Sequence, residues 1–185
     1  MSMLILYGVM GLIQYANCWF LELNSYDHQF QNVTLNIFVL AEFIVFCLFL
    51  KKQIRSDAGR RMMLFFRQFF PMVVCFYWLY NNSLRNDPTY LIVVEFFIII
   101  FSSLCYFYET LKEPPDINLL EHPPFLIVCG MLLLSVLSIP LSLYMDNTYS
   151  FSNSLYYILY SIKCFAYIIL FTFFIIALKC QTRKK

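Results

Sequence analysis

The chain has 185 residues, 61% of them hydrophobic and 13% charged, with a net charge of +2. A soluble domain is nearer half apolar and a quarter charged, so this composition excludes an ordinary water-soluble fold, and so small a net charge gives no support to nucleic-acid binding. The apolar residues fall in blocks of about twenty, the length of a bilayer crossing, and mean hydropathy is +0.69. The expected fold class is all-α: a polytopic transmembrane bundle of six helices, one domain over 1–185.

The first span is expected over about 1–20, with Tyr7, Gly11, Gln14 and Cys18 on one face, a helix-packing pattern. No basic n-region or cleavage site marks it as a signal peptide, so it reads as a retained helix. The second span, about 32–50, carries Glu42 near its midpoint among Leu35, Phe38, Val39, Val45 and Phe46. Such a carboxyl needs a partner on another helix or a proton. Lys51, Lys52, Arg55, Arg60 and Arg61 then form a basic stretch, read as a loop that sets topology.

The third span, about 62–80, holds Arg67, long enough to snorkel, and Pro71, expected to bend the helix. Tyr77, Trp78 and Tyr80 form an interfacial belt at its end. The fourth, about 90–108, places Glu95, Ser102 and Tyr106 in one polar stripe. A proline-rich connection follows, with a short turn expected between Asp116 and His122. In the fifth span, about 125–145, Ser135, Ser138 and Ser142 flank Pro140. Their hydroxyls are expected to satisfy backbone groups freed by the proline. The sixth, about 154–178, sets Tyr156, Tyr160, Lys163 and Tyr167 on one face.

Six spans put both termini on one side. Of the 13 Lys and Arg residues, Lys163 lies within a span and Arg85 alone falls on the opposite side. The positive-inside rule then predicts cytoplasmic termini, in a bacterial inner membrane. A lysine at mid-bilayer costs roughly 3 kcal/mol, so Lys163 is expected to meet an acid. At 1.5 Å per residue, Glu42 and Lys163 lie roughly 12–15 Å below their span ends and Glu95 roughly 8 Å. The candidate site is therefore the intramembrane cluster Glu42, Glu95 and Lys163, flanked by a polar seam of Tyr156, Tyr160, Tyr167, Ser102 and Tyr106. Glu42 is favoured as the partner of Lys163.

Val94-Glu95, an Ile-rich run, and then Tyr106-Phe107-Tyr108-Glu109-Thr110-Leu111-Lys112-Glu113-Pro114 resemble a group of polytopic membrane proteins from Bacteroidota. Members of that group show a similar glutamate, a similar aromatic helix end and a Leu-rich loop after it. The resemblance implies membrane architecture of six or seven helices, and some members resemble the membrane regions of sensors. Seven spans are frequent in that group, which implies one fewer here. It implies no activity.

No zincin, nucleophile-elbow or phosphate-loop motif occurs. The seven Cys stand singly, so no cofactor, metal site or enzymatic activity is expected. The favoured reading is a non-enzymatic subunit or a sensory, signal-coupling module. Its partners are the lipid bilayer and a protein partner or second copy, with no nucleic acid. The alternative is a small transporter or pore with a polar pathway past Glu42, Glu95 and Lys163. An opsin-like chromophore site at Lys163 is the remotest reading.

Overall fold

A computed structural model describes residues 28–80, 88–113, 119–146 and 153–182. The expected first span and the side chains of Tyr156, Tyr160 and Lys163 lie outside the described residues. The described residues hold five α-helices: α1 His28–Gln53, α2 Asp57–Tyr80, α3 Thr89–Lys112, α4 Pro123–Asp146 and α5 Asn153–Thr182. The turn expected before His122 is a single 3-10 turn, Leu119–Glu121. Four stretches are long and apolar enough to cross a membrane: Asn32–Gln53, Asp57–Tyr80, Thr89–Lys112 and Pro123–Tyr144. The apolar part described in α5 is shorter, Cys164–Cys180. The described residues are thus all-helical, with the character of an integral membrane protein.

The helices outrun their apolar blocks. α1 continues through Lys51 and Lys52, and α2 restarts at Asp57, so the basic stretch belongs mostly to helix ends and only 54–56 connects them. The physical reason is local. Cations suit a helix C-terminus, and Ser56 caps the next helix by accepting the Gly59 N–H on its hydroxyl at 3.1 Å. At the start of α4, Pro123 and Pro124 sit where their missing donors are harmless, and the His122 carbonyl accepts from Phe125 N at 3.0 Å.

Two layers of contact organise the bundle. α5 packs along α4, α4 along α3, and α3 meets α1, which packs in turn on α2. One core joins Phe46, Leu50, Phe96, Ile99, Met131, Leu134, Ala166 and Leu170 across four helices. A second joins Val39, Phe43 and Cys47 of α1 to Phe70 and Val74 of α2 and Leu91 of α3. The interior carries polar side chains, among them Asn36, Glu42, Glu95, Ser102, Ser103 and Ser138. The outside of α2 is a stripe of Phe65, Phe69, Met72 and Phe76. A polar inside and an aromatic outside suit a chain whose solvent is hydrocarbon.

Phe70 is fully buried, its ring centroid 4.2 Å from that of Phe43. Phe70→Ala is expected to cost about 3 kcal/mol through the cavity it leaves. A clear fall in the thermal midpoint of the detergent-solubilised protein checks this, and an unchanged midpoint refutes it.

The serines of α4 do not behave as expected. Ser135 Oγ donates to Met131 O at 2.8 Å, whereas the carbonyl that Pro140 frees is four residues before it, at Val136. Among the described residues the buried hydroxyls of Ser138 and Ser142 have no partner. A serine hydroxyl bonds back along its own helix most readily to the carbonyl four residues earlier. From Ser135, Ser138 and Ser142, four residues back is Met131, Leu134 and Ser138, so the spacing never reaches Val136.

Candidate functional site

The three-helix contact of α1, α2 and α3 gathers the intramembrane charges. Glu42 faces inward from α1 and Glu95 from α3; they are 6% and 1% exposed. They are close enough to act on each other electrostatically. Oε1 of Glu95 accepts no hydrogen bond among the described residues. Cys47, one turn and a residue beyond Glu42, lies within electrostatic reach of both Glu95 and Arg67. Arg67 is half-buried. With α2 beginning at Asp57, it stands ten residues, about 15 Å, into its helix.

The structure therefore brings Glu42 and Glu95 together. It also adds Arg67 and Cys47, which charge spacing alone did not select. Ser102 and Tyr106 are buried on α3, and Tyr167 is half-buried on α5. Lys163 is carried by the helix that packs on α4, while α2 and α3 make the main contacts with Glu42's helix. One signal for Arg67 was present: it precedes Pro71 by four residues, so it sits where the helix loses a backbone bond.

Each end of the α1–α2 pair is tied. At one end Trp78 Nε1 donates to Asn36 Oδ1 at 3.1 Å, and Asn36 Nδ2 donates to Asn32 O at 2.9 Å. At the basic end a carboxylate from α3 closes the turn. Glu109 Oε2 accepts from the backbone N–H of Arg55 at 2.9 Å and of Ser56 at 3.3 Å. Its Oε1 accepts from the Ser56 hydroxyl. This latch holds two backbone N–H groups and one hydroxyl at the turn into α2 on a single carboxylate. Arg60 Nε adds a bond to Ile54 O at 2.9 Å.

No protein-family model, curated protein or solved structure matches this chain. The arrangement itself must carry the functional reading. Its chemistry is that of a buried acid pair in a low-dielectric seam, joined by two rigid helices to a latch at the basic end. Two carboxyls so placed respond to any proton or cation that reaches them.

Proposed function

We propose that the chain is a six-span inner-membrane protein with cytoplasmic termini that works as a non-enzymatic signal-coupling subunit, through a protein partner. The observation that supports this best is that α3 meets the α1–α2 pair at two levels, once within the span and once at the turn that joins α1 to α2. The Glu42–Glu95 pair lies within the span, and the Glu109 latch lies at the end of α3. A change of charge state in the pair biases how α3 sits on α1. The latch carries that bias to the basic turn, where a cytoplasmic partner reads it. Lys163, carried on α5, is the expected counter-charge of the pair.

Labelling tests the reading. Ala58→Cys, at an exposed position beside the latch, is treated with a membrane-impermeant maleimide in sealed vesicles of each orientation. The signal above the parent chain should appear only from the cytoplasmic side. Glu42→Gln with Glu95→Gln should change its rate by about fivefold, the low end of a typical coupling energy. Labelling from the opposite side would overturn the topology. An unchanged rate, together with a cation flux in reconstituted vesicles that vanishes in Glu95→Gln, would overturn the coupling reading in favour of a transport pathway.

A further inference from the structure

The basic end holds a cleft of about 220 Å³ whose walls include Lys52, Arg55, Arg60, Tyr106, Glu109 and His122. Three fixed cations face one carboxylate there, and that carboxylate is already held by Ser56 and two backbone N–H groups. Arg55 is shared with Glu113 at 3.8 Å across an exposed pair, a weak hold in water. Arg60 uses only Nε, on Ile54 O. Lys52 makes no ion pair among the described residues.

The second observation is Tyr106. It is 3% exposed, lines the cleft, and its hydroxyl has no partner of good geometry among the described residues. The Thr110 hydroxyl lies near that phenol but gives its own proton to the Tyr106 carbonyl at 2.8 Å, so it does not donate to the phenol oxygen. A buried hydroxyl left without a partner is costly unless a ligand supplies one. The groups left over are an ammonium, the terminal nitrogens of a guanidinium and a phenol. They are donors, so what they fit is a compact anion with several acceptor oxygens. Lys52 ends the α1 span and Tyr106 lies two turns from the end of α3. The cleft is therefore at the depth where lipid phosphates lie.

We propose that this cleft binds the phosphate group of an anionic ligand. Arg60 and Lys52 meet the phosphate oxygens, and the Tyr106 hydroxyl donates from the buried wall. An anionic phospholipid headgroup and a soluble phosphate ester share this chemistry. The site stands apart from the signal-coupling reading and survives its failure.

The full chain in neutral detergent is titrated with short-chain phosphatidylglycerol, with phosphatidylcholine of equal chain length, and with inorganic phosphate. Bound lipid is read by native mass spectrometry and stability by thermal midpoint. Phosphatidylglycerol should bind about tenfold tighter than phosphatidylcholine and raise the midpoint. Arg60→Gln and, as a variant that leaves the Ile54 bond intact, Lys52→Gln should each weaken it about tenfold, the scale of one charge-assisted hydrogen bond. Tyr106→Phe should weaken binding while leaving the ligand-free midpoint unchanged or raised. Arg61→Gln, outside the cleft, should leave binding as it was. Protection by phosphatidylglycerol alone assigns the site to a lipid headgroup, and equal protection by inorganic phosphate assigns it to a soluble ester. The proposal falls if neither ligand is preferred to phosphatidylcholine. It also falls if Arg61→Gln weakens binding as much as Arg60→Gln, which would mean diffuse surface charge, or if Tyr106→Phe binds like the parent.

Discussion

Gly59→Val is expected to cost about 3 kcal/mol, the largest effect of any single change at the basic end. Gly59 lies in the first turn of α2, enclosed by the latch. A Cβ there would stand 2.5 Å from Ile54 Cγ2, 2.9 Å from the Ser56 hydroxyl and 3.0 Å from Glu109 Oε1. Ile54 is fully buried, and moving its Cγ2 means turning a β-branched side chain about χ1 inside a packed core, so it gives way only at a cost. Alanine gains about 1 kcal/mol of helix propensity over glycine, but a contact of 2.5 Å outweighs that gain. Gly59→Ala should therefore still lose about 1–2 kcal/mol. Glu109→Gln tests the same latch from the other helix and should lose about 1–2 kcal/mol, because a neutral amide oxygen accepts more weakly and its NH₂ faces donors. The valine displaces the carboxylate already, so the pair Gly59→Val with Glu109→Gln should lose less than the two losses added. Thermal midpoints in detergent measure all four variants. A Gly59→Val protein as stable as its parent would mean that the latch is not packed as described.

The spans were legible because bilayer length and apolar runs leave few alternatives, and α1 to α4 fall on the expected blocks. Glu42 and Glu95 were legible for the same reason, as charges where hydrocarbon makes charge expensive. Which helix each one faces was not. Helical period fixes a face of one helix, and depth fixes a level shared by every helix, but neither fixes the lateral neighbour. Depth favoured Lys163 for Glu42; the side chain of Lys163 lies outside the described residues, and among those described a second carboxyl, Glu95, is within electrostatic reach of Glu42. Helix ends were misplaced by three to five residues at the basic connection, since Lys51 and Lys52 look like loop in hydropathy and behave as helix. The latch was hidden more deeply. Glu109 lies in the stretch singled out for its resemblance, yet a glutamate at a helix end reads as an ordinary interfacial charge. Its partner Ser56 is one short residue in a basic run. Only the packing of α3 against the α1–α2 turn gives either of them a role.

The remaining prediction concerns the far side of the bundle. α4 and α5 approach closely at Gly130, where a Cβ would stand 3.1 Å from Leu170 Cδ1 and 3.2 Å from Phe173 Cβ. Small residues allow such approach where no hydrophobic effect drives helices together. Ala166 and Ala177 are buried on α5 in the same way, around the fully buried Leu170. Gly130→Ala asks a few tenths of an ångström of Leu170 Cδ1, a side-chain end, and of Phe173 Cβ, which moves only with the α5 backbone, and should cost about 1 kcal/mol. Gly130→Leu must place three further carbons against Phe173 and should cost about 3 kcal/mol or force α5 away from α4. The two outcomes separate by experiment. A disulfide engineered between α4 and α5 should form readily in the parent and in Gly130→Ala, and slowly in Gly130→Leu if α5 moves. If instead the leucine variant crosslinks normally, the cost must appear as a lowered thermal midpoint. Leucine tolerated in both measurements would show that α4 and α5 do not meet at Gly130. The helix carrying Lys163 would then no longer be held against α4 at this level.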